Sequence, residues 1–553
     1  MTPSELAQVL AAALRQAVAD GALPLDPSAV PEEVHVERSK QRGHGDWSSN
    51  VALQLAKRAG LPPREFATIV SGYLTANPAV ASVEVAGPGF INLTLNKAAA
   101  GELARQITEQ GSAYGRGGAY QGQTINVEFV SANPTGPVHL AGARWAAVGD
   151  TIARTFEAQG ATAVREYYFN DHGAQIDRFA QSLLNAARGL PAPEDGYGGQ
   201  YIQDIARGID AAEPSLKDLP DDQALEAFRE RGVTTMFGEI KAQLHDFGVD
   251  FDVYFHEQSL YDSGEVEGAI GQLKANGSLY EADGAWWLRS TAYGDDKDRV
   301  VIKSDGHAAY IAGDIAYFRN KRQRGADLAI YLLGADHHGY IARLKAAAAA
   351  LGDDPDRVEV LIGQMVFLVK DGQPVKMSKR AGTVVTMEDL VGAIGVDAAR
   401  YALVRSSIDS NLEIDLDLWA SHTNDNPVFY VQYAHARTRS VARNAAAAGV
   451  GDPALFDPAT LAHESEAVLL GVLAEFPGML AQAAELREPH RVARYLEQVA
   501  AAYHKWYDQC RVIPLVDQPV EPVHHSRFVL NQATTQVLAN GLATLGVTAP
   551  ERM

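Results

Sequence analysis

Residues 125–142 read Ile125-Asn126-Val127-Glu128-Phe129-Val130-Ser131-Ala132-Asn133-Pro134-Thr135-Gly136-Pro137-Val138-His139-Leu140-Ala141-Gly142. Ile125, Val127 and Phe129 alternate with polar partners, the period-two pattern of a short strand. Pro134 and Pro137 keep the following segment from being helical. Beyond it Ala141, Trp145, Val148, Ile152 and Phe156 follow at spacings of four, three, four and four, which is one apolar helix face. Gly160 ends that helix, and Ala163-Val164-Arg165-Glu166-Tyr167-Tyr168 reads as the next strand. Strand, Gly/Pro loop, helix and strand form a βαβ unit, the building block of a parallel sheet.

Toward the C-terminus the parallel pattern breaks. Residues from about 185 to 300 hold a Gly/Pro-rich loop, helices and a hairpin around Trp286 and Trp287, and read as an insertion. The sheet resumes with Leu328-Ala329-Ile330-Tyr331-Leu332-Leu333 and Val358-Glu359-Val360-Leu361-Ile362. From 396 onward the chain is predicted to be almost wholly helical. There Val492, Leu496, Val499, Tyr503, Trp506 and Cys510 alternate spacings of four and three, a buried stripe. Toward the N-terminus, Thr2 can cap a helix that Pro3 opens, with Leu6, Val9, Leu10 and Ala13 on one face and Gly21 as its stop. Residues 47–75 are predicted helical again. Residues 82–95 read as a hairpin about Gly87-Pro88-Gly89, and the Gly-rich stretch 111–123 as a linker. The expected fold class is multidomain α/β: an α+β unit over 1–118, a parallel-sheet domain over 119–395 with its insertion, and an all-α domain over 396–553. No internal repeat is found.

A chain of 553 residues exceeds what one hydrophobic core supports. Its 48 basic against 69 acidic residues give a net charge of −21. That argues against a cationic coat for nonspecific DNA or membrane binding, and leaves room for a local basic groove. A single cysteine, Cys510, excludes an internal disulfide framework and a Cys-rich zinc site. Met1-Thr2-Pro3-Ser4-Glu5 lacks the basic and apolar regions of a secretion signal. No run of about 18 apolar residues is seen, so no membrane span is expected. The expectation is a soluble, cytoplasmic protein.

Three motifs carry chemistry. His139 sits where a Gly/Pro loop turns into a helix, at the carboxyl end of a strand. Ligands bind at such ends, and the helix start favours phosphate. The alternative is a capping or packing histidine. Lys376-Met377-Ser378-Lys379-Arg380, with Gly382 beside it, places three cations in five residues. Such a loop can clamp a polyphosphate whose charge rises during transfer, or it can be a solvated charge run. Gly334-Ala335-Asp336-His337-His338-Gly339 follows a predicted strand directly. It suits the wall of a nucleotide or substrate site better than a metal centre, because adjacent histidines on a turn rarely face one ion.

In this order the motifs resemble the class I aminoacyl-tRNA synthetases, and the match sharpens to the arginyl-tRNA synthetases of bacterial type. The resemblance is carried by Val127–Pro137, by Tyr167-Tyr168-Phe169-Asn170-Asp171 and by Gly334–Tyr340. It continues in Gly395-Val396-Asp397-Ala398-Ala399-Arg400-Tyr401 and Tyr430-Val431-Gln432-Tyr433-Ala434-His435-Ala436-Arg437. At the N-terminus Gly45-Asp46-Trp47 and Ala86-Gly87-Pro88-Gly89-Phe90-Ile91-Asn92 resemble that family's appended domain. One departure stands out. The family's first signature reads His, apolar, Gly, His, whereas this chain has His139-Leu140-Ala141-Gly142.

The resemblance implies a Rossmann-like catalytic domain and a two-step reaction. The arginine carboxylate attacks the α-phosphate of ATP, which is bound with Mg2+, and the arginyl-adenylate then acylates a hydroxyl of the terminal adenosine of tRNA(Arg). It implies catalytic roles for His139, Lys376, Ser378 and Lys379. It places Glu257, Tyr310 and Asp314 at the guanidinium, and Glu128, Ser131, Asn133 and His337 at the backbone end of arginine. It assigns Pro134, Gly142, Gly334, Asp336, His338, Gln364, Met365 and Val366 to ATP, with the adenine on the backbone near Gln364–Val366. The helical domain is expected to read the anticodon with Tyr433, Arg437, Arg491, Arg494, Tyr507 and Arg511, and the 1–118 unit to touch the tRNA core. Tyr503 and Trp506 are expected in the core. A monomer with no protein-bound metal is expected. Two other classes compete: a catalytically weakened tRNA-binding paralogue, which would account for the altered signature, and a free-standing nucleotidyltransferase, which would need neither terminal domain.

Overall fold

The computed structural model describes residues 1–39, 44–170, 173–375, 385–515 and 517–553. The N-terminal unit is built on an antiparallel sheet of β1 (Glu37–Arg38), β2 (Trp47–Ser49), β3 (Val80–Ala86) and β4 (Phe90–Leu95), in the order β1-β2-β4-β3. The β3–β4 hairpin turns at Gly87-Pro88-Gly89, as its alternation predicts. The helix predicted over 47–75 is three elements instead. Trp47–Ser49 pairs with β4, and Gly60, at φ 65°, separates Val51–Ala59 from Pro63–Leu74. Trp47 and Ser49 are both buried with Ser48 between them, an alternation too short to register beside the helical pattern that follows. The stretch read as a linker is docked: Tyr114 is buried and its hydroxyl donates to Leu473 O at 2.8 Å.

The central sheet begins with β5 (Thr124–Glu128), β6 (Thr162–Phe169) and β7 (Val253–His256). An antiparallel hairpin sheet of β8 (Leu279–Ala282), β9 (Ala285–Leu288) and β10 (Arg299–Ile302) intervenes. The Trp286-Trp287 hairpin turns at Asp283-Gly284, both at positive φ. Strands β11 (Leu328–Gly334) and β12 (Val358–Gly363) then complete a parallel sheet in the order β12-β11-β5-β6-β7. The sheet therefore draws β7 from inside the stretch read as an insertion; four residues are too few to show a period. A fourth sheet joins β13 (Val366–Lys370), β14 (Gln373–Val375) and β15 (Leu412–Asp415), so one strand comes from beyond residue 396.

Strand β5 and the helix Leu140–Ala158 are more buried than their patterns suggest. Asn126 and Glu128 are buried along with Ile125 and Val127, because a buried lysine lies against them. The helix is covered on both sides, by the sheet and by C-terminal helices, so nearly all of it is interior. Its Trp145 lies against Gly363, where a Cβ would fall 1.5 Å from the indole ring. Only glycine permits this approach of helix to strand end.

The C-terminal unit packs helices Pro427–Ala447, Glu464–Ala474, Phe476–Glu485, His490–Gln509 and Pro522–Leu545. Val492, Leu496, Val499, Tyr503, Trp506 and Cys510 are all buried, as the stripe predicts. The expectation of no span-length apolar stretch needs correction. Glu464–Glu485, with mean hydropathy 1.5, is long and apolar enough by composition to cross a membrane, and half of that window is buried inside the fold. Glu475 and Gln482 interrupt this stretch and hide it from a count of consecutive apolar side chains.

Arg400 locks the units together. It is wholly buried and donates to Asp150 Oδ2 at 2.5 Å, to Leu545 O and to the carbonyls of Phe247 and Gly248. Removing one partner of a buried charge pair strands the other and costs about 3–5 kcal/mol. Arg400→Met is expected to lose about that much stability in urea unfolding. A loss below about 1 kcal/mol would mean that packing, not this pair, joins the domains.

Candidate active site

All five central strands run parallel and end on the same side, and the described residues expected at arginine and ATP lie around those ends. Glu128 closes β5. The chain then reverses through Val130 and Ser131, at φ 68° and 41°. Left-handed backbone at a β-branched residue is strained and is held by its surroundings. Here Ser131 Oγ donates to Glu128 Oε1 at 3.3 Å and accepts from the Tyr168 N–H at 3.1 Å, while Tyr167 OH donates to Ala132 O at 2.7 Å. Asn133 Nδ2 donates to Gln175 Oε1, and Pro134 is buried beneath the loop.

Below this loop lies an ionic cluster. Lys321 Nζ, completely buried, donates to Glu128 Oε2 at 2.7 Å and to Asn126 Oδ1 at 2.8 Å, and lies 3.5 Å from Glu166 Oε1. Arg324 forks onto both oxygens of Glu166 at 2.7 and 2.8 Å. Burial pushes the Glu166 carboxyl up, but Lys321, Arg324 and the Tyr317 hydroxyl outweigh it and hold it at about 2.

Above the cluster is an acidic cleft. Asp314 lies on the helix Tyr310–Gln323, one turn beyond Tyr310, as the four-residue spacing requires. Tyr310 itself is 86% exposed, at the rim. Gly313 borders the cleft: a Cβ there would lie 3.4 Å from Tyr261 OH and 4.0 Å from Glu257 Oε1. Burial drives the Asp314 pKa up; Arg343 opposes, and Glu257 and Glu128 add to the rise, to about 7. The hydroxyls of Tyr168 and Tyr261 are raised by burial and then by Glu257 and Asp314, and that of Tyr340 by Asp314 and then burial. Three carboxylates thus share one aromatic cleft. Tyr168, Tyr261, Tyr340, Arg343 and Lys321 were not among the expected site residues. Lys321 had a signal: it follows Asp314 by seven residues, two turns along one helix face.

His139 caps the helix Leu140–Ala158. Its Nδ1 accepts from the Gly142 N–H at 3.1 Å, which leaves Nε2–H as the ring's outward donor. Desolvation holds the ring below its ordinary pKa, favouring this neutral form. The capping reading of His139 is thus seen directly, and the cap leaves Nε2–H free of the helix. Gly142 was expected at the ATP, and its amide is engaged by His139. A Cβ at 142 would meet Val138 Cγ1 at 2.9 Å.

Lys376, Ser378 and Lys379 lie outside the described residues. The chain re-enters beside His139: Leu140 N donates to Val385 O, Met387 N donates to Val138 O, and His139 bridges Thr386. Thr386 opens the helix Met387–Ile394 through a capping box with Asp389. Two helix starts therefore meet at His139. Gly334 ends β11 beside Gly363, and Asp336, His337 and His338 turn immediately after it, with His337 edge-on to Tyr340. At the next joint Gln364 N donates to Ile408 O, and Met365 is 55% exposed. Among the described residues no group of three or more His, Cys, Asp or Glu is arranged to hold a metal ion.

The expected tRNA face divides. Arg437 lies over the Tyr433 ring at 4.7 Å and the Tyr507 ring at 5.0 Å, and donates to Tyr433 OH and His504 Nδ1. Phe429 stacks on Tyr433, and His422 on Phe429. Phe429 was missed, although Phe429, Tyr433 and Arg437 follow at four-residue steps. Arg491 and Arg494 are elsewhere, roughly 20–24 Å from Tyr507 along the same helix. They pair with Glu488 and Glu497. Arg511 is exposed just past that helix.

Three family models match. The Arginyl tRNA synthetase N terminal domain covers residues 4–95, the tRNA synthetases class I (R) catalytic domain 218–412, and the DALR anticodon binding domain 431–553. The chain is 62% identical over 554 residues to an arginine–tRNA ligase of Kineococcus radiotolerans, with 100% of both chains covered. Its fold is similar to Thermus thermophilus arginyl-tRNA synthetase, at TM-score 0.78, 23% identity and full coverage of both chains. It is likewise similar to the Plasmodium falciparum enzyme, at TM-score 0.74, 14% identity and full coverage. A chain with these three domains, this identity and an acidic cleft beside a paired helix start belongs to the arginyl-tRNA synthetases, the class I ligases that charge tRNA with arginine.

Proposed function

We propose that the cleft of Glu128, Glu257 and Asp314 holds the arginine guanidinium, with Tyr310 at its rim. Ser131, Asn133 and His337 hold the amino acid's carboxylate end beside His139. ATP enters with Mg2+ as its substrate complex. Pro134, Gly334, Asp336 and His338 line its path, and its adenine lies at Gln364–Val366. The attacking carboxylate and the leaving pyrophosphate meet where the two helix starts converge. His139 Nε2–H, Lys376, Ser378 and Lys379 neutralise charge that grows on the phosphates, while Gly142 serves by fixing the His139 ring. The terminal adenosine hydroxyl then attacks the adenylate carbonyl and AMP leaves, without a covalent enzyme intermediate.

In this reading residues 1–118 contact the tRNA core, 119–395 carry the chemistry and 396–553 read the anticodon through Tyr433, Arg437 and Tyr507. Arg511 adds charge near them, and Arg491 and Arg494 serve the domain junction instead. The enzyme works as a cytoplasmic monomer.

The observation that carries this reading is the placement of Asp314 on the helix Tyr310–Gln323 next to Gly313, which borders Glu257; burial first, and then Glu257 and Glu128 against the pull of Arg343, raise its carboxyl to about 7. A guanidinium supplies an opposing cation. Arginine binds the ionised carboxylate, so its affinity should fall as pH drops below about 7 and level off above. Asp314→Asn should abolish that dependence and weaken arginine binding by roughly 1.5–3 kcal/mol, with ATP binding little changed. Calorimetric titration from pH 6 to 8 decides; a flat profile in the unaltered enzyme would refute the pocket.

Lys376→Ala and Lys379→Ala should each slow adenylate formation by about 2.7–4 kcal/mol with the fold intact. Unchanged single-turnover activation in both would remove the loop from the mechanism.

The missing second histidine is tested at residue 142. A side chain there must displace Val138 Cγ1, which a Cβ would meet at 2.9 Å, so Gly142→His should lower ATP–pyrophosphate exchange rather than restore it. A large rise in rate would identify the native chain as a weakened catalyst.

A further inference from the structure

Arg144 is 1% exposed, yet it has no carboxylate partner among the described residues. Its NH1 donates to Gln364 O at 2.8 Å and Ser410 O at 3.0 Å, and its NH2 to Ser407 O at 2.8 Å. Its Nε is buried without a partner among the described residues. Burial pushes the guanidinium down to about 10, against a weaker pull from Asp409, so it stays charged at neutral pH. A buried cation held only by carbonyls is costly, and an apolar side chain would serve packing at less cost. The three acceptors come from two segments, and both meet at the joint between β12 and β13. There Gln364 N donates to Ile408 O at 3.0 Å and Leu412 N to Met365 O at 2.9 Å. The donor comes from a third segment. Arg144 lies five residues past His139, about 7.5 Å along the helix axis.

We propose that Arg144 is a positioning residue for ATP, which fixes the adenine platform at Gln364–Met365 against the helix start that takes the phosphates. The proposal rests on the reading of Gln364–Val366 as the adenine site. One planar fork, rooted in the helix that His139 caps, holds the platform and the 407–410 segment behind it. The separation of the nucleotide's two ends is then set by a single side chain. Lysine cannot reproduce this, because an ammonium lacks the rigid fork that reaches three carbonyls at once.

The test is ATP–pyrophosphate exchange with tRNA present, on Arg144→Lys and on Met365→Ala. Arg144→Lys should raise KM for ATP about tenfold, the scale of one charged hydrogen bond. KM for arginine should not change, and the preference for ATP over GTP should narrow, because the base edge is read from a joint now free to shift. Met365→Ala should raise KM for ATP by removing the apolar cover. A rise with Met365→Ala and none with Arg144→Lys overturns the positioning role and leaves the adenine site standing. No rise in either overturns both. Equal losses for ATP and arginine with an unchanged ATP-to-GTP ratio make Arg144 general support and overturn the proposal. Should Arg144→Lys fail to fold, hydrogen exchange on the unaltered enzyme with a non-hydrolysable ATP analogue decides. Protection rising together at 364–366 and 407–412 is expected, and protection confined to 364–366 overturns the proposal.

Discussion

One buried ammonium organises the catalytic end of the sheet. Lys321 Nζ bonds Asn126 and Glu128 on β5 and faces Glu166 on β6, from a helix that also carries Asp314. Burying a lysine with two carboxylates is favourable only when every group is paired. Arg324 and Tyr317 complete the pairing on Glu166. Glu128 is thereby fixed in the wall of the cleft, and the helix is fixed so that Asp314 faces the same space. The contrast between two buried acids follows directly. Glu166, with two cations and a hydroxyl, stays ionised far below neutrality, whereas Asp314, with one opposing arginine and two acidic neighbours, does not. The first is held ionised by its partners; the second is raised by burial and by two neighbouring acids against a single arginine.

The region around His139 is built on a different principle. It uses backbone dipoles where two helices begin side by side, at His139 and Thr386. Each start is capped by its own side chain, and the two chains exchange backbone hydrogen bonds through Leu140, Val385, Met387 and Val138. The described chain stops at Val375 on β14 and resumes at Val385, whose carbonyl accepts from Leu140 N. Positive helix ends supply a fixed field there, to which a loop of cations can add.

Much of this was legible in the chain because periodicity and turn chemistry agreed locally. The βαβ unit, the β3–β4 hairpin and the buried stripe from Val492 to Cys510 each had a pattern longer than a turn. What stayed hidden was short or two-sided. Strands β7 and β15 have four residues each, and Asn126 and Glu128 looked solvent-facing because their partner Lys321 lies almost two hundred residues away. The cleft was legible in part: Tyr310 and Asp314 share a helix face, but that their neighbours include Tyr168, Tyr261 and Tyr340 depends on three separate strand ends. The bonding of Gly142 was hidden for a related reason. A glycine at a helix start suggests a free amide, and only the three-dimensional cap shows that the histidine already uses it.

The same reasoning explains how a chain of net charge −21 can leave a local cationic face. Its acids are not spread evenly against its cations. At the inner end of the helix His490–Gln509, Glu488 and Glu497 take Arg491, Arg494 and Arg405, and Glu359 takes Arg487. Those arginines are neutralised where the helical domain meets the sheet. At the outer end Arg437 is held by Tyr433 OH and by a histidine, His504, that burial and Arg437 itself keep neutral, down to about 4. None of these partners cancels its charge. Arg437 therefore remains a full cation between two tyrosine faces, as unstacked bases on a phosphate backbone require. The charge sum describes the whole body, and the pairing along one helix decides where the field is left uncancelled.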